Sequence, residues 1–138
     1  DTVSCVAPIG IFFGRIANFI NSELYGTPTQ KPWGVIFPKI DNIIRHPSQI
    51  YEALLEGFLL FVILNFIVIK KKFNHGIISM LFLILYGIFR IISEQFRQPD
   101  QHIGFVVGSL SMGSLLSVLM ISFGLLFLIK IIANEKNR

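Results

Sequence analysis

Charge is scarce in this sequence. Only 14% of its 138 residues are Asp, Glu, Lys or Arg, 53% are hydrophobic, and the mean hydropathy is +0.68. That balance excludes an ordinary water-soluble domain of this length. From Ile103 to Ile129 there is no charged residue and no histidine. At about 1.5 Å rise per residue, such a stretch more than covers a hydrocarbon core of roughly 30 Å. Cysteine is nearly absent as well: the single Cys5 excludes an internal disulfide and a thiolate zinc cluster. Thr2-Val3-Ser4 before it is a poor lipoprotein cleavage box, so Cys5 reads as a small apolar helix residue. No Gly-x-Ser-x-Gly elbow, His-Glu-x-x-His pair or trio of ligands at metal spacing is present, which leaves serine-hydrolase and zinc-protease chemistry without a motif. The net charge of +4 does not point to nucleic acid, because the basic residues are scattered or flank apolar spans and are not interleaved with aromatics. The opening Asp-Thr-Val-Ser-Cys has neither Met nor a basic leader, so the chain reads as truncated and its first apolar stretch as a span, not a signal.

What is present is four apolar segments, about 3 to 20, 50 to 69, 77 to 96 and 104 to 129, each near the length that a bilayer requires. The fold class predicted is an all-α polytopic transmembrane helix bundle. Residues 21 to 49 are rich in breakers (Gly26, Pro28, Pro32, Gly34, Pro47) and form the one long loop, with a short hairpin around Trp33 to Phe37. Lys70, Lys71, Lys72, Lys130, Lys136 and Arg138 gather at one end of the spans, six against the four of Lys31, Lys39, Arg45 and Arg97 at the other. The first end is therefore expected to be cytoplasmic, and loop 21 to 49 and the turn from Arg97 to His102 extracytoplasmic. In the last span Gly104 and Gly108, and Ser109, Gly113 and Ser117, recur every four residues, a stripe of small side chains suited to close helix packing.

The charges inside the spans are the most informative. Arg15, Glu56 and Arg90 each stand five or six residues from the outer end of a segment, so helical rise puts all three roughly 7 to 9 Å below one surface. An ionised group at that depth costs about 1 to 3 kcal/mol or more unless paired or wetted, which makes it a functional candidate by default. Arg90, Glu94 and Arg97 at i, i+4 and i+7 share one predicted helix face, and Glu52 and Glu56 share another. The glutamates fit either a site or interhelical ion pairs that only fasten the bundle. The arginines fit a phosphate, which a planar guanidinium holds in bidentate fashion, and an anion reached from lipid suggests a phospholipid headgroup. Arg15 and Asn18, with Ser22, lie on one face of the first span; Ser48 is a candidate N-cap for the second, and His46 sits in the loop just before it.

Three stretches then resemble one family. Gly14-Arg15-Ile16-Ala17-Asn18-Phe19-Ile20-Asn21-Ser22-Glu23-Leu24-Tyr25-Gly26 is similar to the signature of the prolipoprotein diacylglyceryl transferases, with eight matching positions in thirteen residues. Arg45-His46-Pro47-Ser48-Gln49-Ile50-Tyr51-Glu52, and Tyr86-Gly87-Ile88-Phe89-Arg90 followed by Glu94 and Phe96-Arg97-Gln98-Pro99-Asp100, resemble its later motifs in the same order. The resemblance implies that residues 1 to 138 are the C-terminal half of a seven-helix enzyme of the bacterial inner membrane. That family moves a diacylglyceryl group from phosphatidylglycerol to the lipobox cysteine of a prolipoprotein, and its partners are therefore that lipid and the prolipoprotein signal peptide. It needs no metal or organic cofactor. Carried onto matching positions, Arg15, Arg90 and Glu94 become the catalytic candidates; Arg15, Asn18, Glu23, Gly26, His46, Arg90 and Arg97 become the substrate-binding ones. His46 is one candidate base for the thiol. The family's other candidate belongs to a His-Gly-Gly motif that this chain lacks, so the isolated fragment is expected to be inactive. Two readings from other classes stay open: a phospholipid transporter or flippase segment that binds an anionic headgroup without chemistry, and an assembly subunit whose charges pair only with one another.

Overall fold

The computed structural model describes residues 1–99, 105–107 and 110–137. Four helices in it are long and apolar enough to cross a membrane: Thr2–Ile20, Ser48–Lys70, Ile77–Glu94 and Met112–Lys136. The first, α1, ends where Asn21 and Ser22 turn the chain, with Ser22 (φ 58°) and Leu24 (φ 54°) in the left-handed region. Ser22 therefore leaves the helix and cannot share a helical face with Arg15 and Asn18. The second span is composite: α2 (Ser48–Glu52), a π-helical segment (Ala53–Leu59) and α3 (Leu60–Lys70). Gly76, at φ 92°, occupies a conformation open to glycine and starts α4 (Ile77–Glu94) after the Asn74-His75 turn.

The last span departs from expectation. The apolar run from residue 104 contains a short antiparallel hairpin, β3 (Phe105–Val107) with β4 (Leu110–Ser111), and α5 starts only at Met112, then continues past residue 129 to Lys136. Phe105, Val106 and Val107 are strand formers, and hydropathy alone does not separate them from a helical turn. Of the predicted small-residue stripe, Gly104, Gly108 and Ser109 lie outside the described residues, as do Asp100 and Arg138. Gly113 and Ser117 do face α4, and α4 and α5 share the most extensive seam in the molecule.

In the second span the buried positions Ser48, Glu52, Glu56, Leu60 and Leu64 recur every four residues, each with no exposed surface. A regular α-helix advances about 100° per residue, so a period of four drifts roughly 40° per step and such a stripe would wind away from its neighbours. The wider π turn offsets that drift and keeps the acidic pair and the leucines on one side. The leucines pack with Ile78 of α4, and Cys5 of α1 joins this core as a partly buried apolar group. Gly57 permits close contact with α1: a Cβ there would stand 2.7 Å from Phe12 Cα. Outward faces carry Phe13, Phe58, Phe66, Leu119 and Leu126, all exposed, as expected of helices solvated by lipid.

Above the helix ends, loop 21 to 47 is pinned, not free. The hairpin expected around Trp33 to Phe37 has only its first strand there, Val35–Ile36 (β1); its partner is Ile44–Arg45 (β2), well beyond Phe37. The segment around Gly26 and Pro28 is held between two others, bridging to Arg97 on one side and to Arg45 on the other. A Cβ on Gly26 would stand 2.3 Å from His46 O and 2.7 Å from Phe96 O, so the chain passes there only without a side chain. Ser48 is the first residue of α2, not its cap; its hydroxyl reaches Leu24 O at 3.3 Å, and Gln49 Nε2 donates to Glu23 O at 2.7 Å.

Candidate active site: a buried guanidinium and carboxylate cluster

Three spans bring charged side chains together just below the pinned loop. Arg15 Nε on α1 lies 2.9 Å from Glu52 Oε2, and its Nη2 lies 3.7 Å from Glu56 Oε2. From the other side, Arg90 Nη1 on α4 stands 3.4 Å from Glu52 Oε2 and 3.7 Å from Glu56 Oε1, while its Nη2 meets Glu94 Oε2 at 3.1 Å. Ser93 Oγ adds a donor to Glu56 Oε1 at 3.1 Å, and Ser111 Oγ, at the N-cap of α5, donates to Glu94 Oε1 at 2.9 Å. The layer expected from helical rise thus exists. Each of Glu52 and Glu56 touches both arginines.

Two guanidiniums face three carboxylates. Glu94, the third, rests against the first turn of α5, whose unpaired N–H groups form the positive end of a 25-residue helix. Burial differs within the cluster. The side chains of Glu52 and Glu56 are 0% exposed, whereas those of Arg15, Arg90 and Glu94 are 16%, 11% and 9% exposed. Several contacts are close without being aligned hydrogen bonds: among the described residues, Arg90 Nη1, both oxygens of Glu52 and Glu56 Oε2 have no hydrogen-bond partner. Arg90 Nη1 is itself buried and faces the acidic pair without an aligned acceptor.

The other sequence candidates sit above this cluster. Asn18 accepts from Glu23 N–H through its backbone carbonyl at 2.9 Å, and Glu23 itself is exposed. Arg97 lies beyond the end of α4, paired through its backbone with Gly26, so it leaves the helical face that Arg90 and Glu94 share. His46 has a partner that the sequence did not disclose: its Nδ1 is 3.0 Å from Tyr51 Oη, which also accepts from Trp33 Nε1 at 2.7 Å. Phe96 packs edge-on against both rings. Arg45, the first residue of the second motif-like stretch, is buried; it donates to Gly26 O at 3.1 Å, pairs with Asp41 at 2.7 Å and lies over the Tyr25 ring. The Arg45 guanidinium hydrogen-bonded to Asp41 holds that carboxyl below its ordinary value of 3.8. Asp41, Ser93 and Ser111 carry no pattern that would have selected them from sequence, and Tyr51 stands only as one residue of the motif-like stretch from Arg45 to Glu52.

Comparison with known proteins gives this geometry a context. The family model for prolipoprotein diacylglyceryl transferase matches residues 1–130. A phosphatidylglycerol–prolipoprotein diacylglyceryl transferase of Rickettsia bellii is 52% identical over 132 residues, covering 94% of this chain and 50% of that protein. Similarly named proteins from the Wolbachia of Drosophila simulans and of Brugia malayi are 49% and 43% identical, over 91% and 99% of this chain. The chain spans about half the length of the curated relatives it matches. A match over nearly its whole length, with the four membrane-spanning helices in place, makes this multi-pass membrane chain a member of the prolipoprotein diacylglyceryl transferase family.

Proposed function

We propose that this chain forms the C-terminal half of an inner-membrane enzyme that transfers the diacylglyceryl group of phosphatidylglycerol to the lipobox cysteine of a prolipoprotein. The observation that carries the reading is the convergence of Arg15 and Arg90 on one acidic pair that is more deeply buried than either guanidinium. In the reaction the cysteine thiolate attacks the glyceryl carbon that bears the phosphate ester. A carbon–sulfur bond forms, the carbon–oxygen bond breaks, and glycerol phosphate leaves with the electron pair while a base keeps the thiol proton. Negative charge grows on the departing phosphate, so cations fixed in advance stabilise the transition state more than the ground state. Glu52, Glu56 and Glu94 hold those cations in place. His46, Asn18, Glu23, Gly26 and Arg97 belong to the rim through which lipid headgroup and signal peptide enter, which fits the anchoring of that rim to the helix ends.

The test uses the full-length enzyme and a model prolipoprotein. Arg15→Ala and Arg90→Ala both abolish thioether formation, and both proteins still insert into membranes. Wild-type rates from the two variants would overturn the assignment.

A further inference from the structure

By its pattern Gly113 belongs to a stripe of small residues whose task is close packing, but its neighbour is a charged group. A Cβ on Gly113 would stand 2.9 Å from each of Glu94 Cδ, Oε1 and Oε2, closer than side-chain atoms come. The carboxylate therefore lies on bare backbone in the first turn of α5. There Ser111 Oγ donates to Oε1 at 2.9 Å, while Oε2 meets Arg90 Nη2 at 3.1 Å. The other glycines of this seam differ in kind. A Cβ on Gly87 would meet Ile121 and the backbone oxygen of Ser117, and one on Gly124 would meet Ile84 Cγ1 at 2.8 Å, with no charged group in either case.

We infer that Gly113 is a positioning residue: the absence of a side chain there lets the Glu94 carboxylate seat on α5, and through Glu94 it sets where the Arg90 guanidinium stands. The catalytic consequence rests on the transferase reading above. A methyl at residue 113 strikes the tip of a flexible side chain, not a backbone, so the fold accommodates it and the carboxylate moves instead. Arg90 then follows its partner or loses it. A displacement of about 1 Å in such a group costs up to about 100-fold in rate.

Two measurements on the full-length enzyme test this. In the transfer assay Gly113→Ala lowers kcat about 10- to 100-fold with little change in unfolding temperature. The double variant Gly113→Ala with Glu94→Asp, whose carboxylate is drawn back by one methylene, is faster than Gly113→Ala alone. Gly124→Ala lowers the unfolding temperature and gains nothing from Glu94→Asp. In the second measurement phenylglyoxal modifies arginine, and mass spectrometry follows the peptide that contains Arg90. Modification quickens several-fold in Gly113→Ala and returns toward wild type in the double variant. Unchanged Arg90 modification in Gly113→Ala overturns the inference whatever the transfer assay reads, and so does a rate loss that Glu94→Asp fails to relieve. A wild-type enzyme without transfer activity refutes the transferase reading instead, and the modification experiment still decides the seating of Glu94.

Discussion

Replacing Arg90 separates its charge from its shape. Its two terminal nitrogens reach in different directions, Nη1 toward Glu52 and Glu56 on the second span and Nη2 toward Glu94 on its own helix. Lysine keeps the charge but has one nitrogen, which can serve one side only. Arg90→Lys therefore keeps one side of the bridge and loses the other. Arg90→Ala leaves Glu52 and Glu56 with Arg15 alone and Glu94 with no guanidinium partner among the described residues, a loss of about 3 to 5 kcal/mol. Thermal unfolding of the full-length protein in a defined detergent is expected to rank wild type above Lys and Lys above Ala. Adding Glu52→Gln to Arg90→Ala recovers part of the loss, because the neutral amide no longer needs a cation. If Arg90→Ala unfolds with wild type, or Glu52→Gln deepens its defect, the guanidinium does not bridge the two acidic groups.

The loop above the cluster is expected to respond to acid. Asp41 has its folded-state value depressed by Arg45, so its contribution is fully present above 3.8, the ordinary value, and is lost as pH falls through the depressed one. Protease cleavage within residues 27–45 should rise below about pH 4 in wild type and already at neutral pH in Asp41→Asn; equal cleavage of both proteins at pH 7 would refute the link. Tyr51→Phe removes the acceptor for the indole of Trp33, the chain's only tryptophan. The fluorescence anisotropy of Trp33 should fall and its emission shift, and an unchanged spectrum would mean that the bond does not hold the loop.

The sequence made the coarse architecture and the charged layer legible because both follow from composition and helical rise. The first three spans lie within two residues of their expected ends. The fourth does not, since Phe105 to Ser111 are as apolar as the helix they precede, and the polar tail Ala133 to Lys136 still favours helix. Arg15, Glu56 and Arg90 could be placed at one depth, but not which carboxylate meets which guanidinium, since that depends on how three helices are rotated against one another. Arg97 falls off the face of Arg90 and Glu94 because the helix ends at Glu94, before the turn that would have carried it there. The partners of His46 and Glu94 come from Tyr51 and Ser111, and spacing along the chain gives no sign of which hydroxyl will arrive.

The π-helical segment restricts how this part of the protein can change. A surface loop absorbs a lost or gained residue by local rearrangement. Ordinary winding between Ala53 and Leu59 at the present length would instead let the stripe drift by roughly 40° every four residues, carrying Leu60 and Leu64 out of the core and toward lipid. Length and winding are therefore coupled here independently of the side chains: at this length the wide turn is what keeps the acidic pair and the leucine seam together.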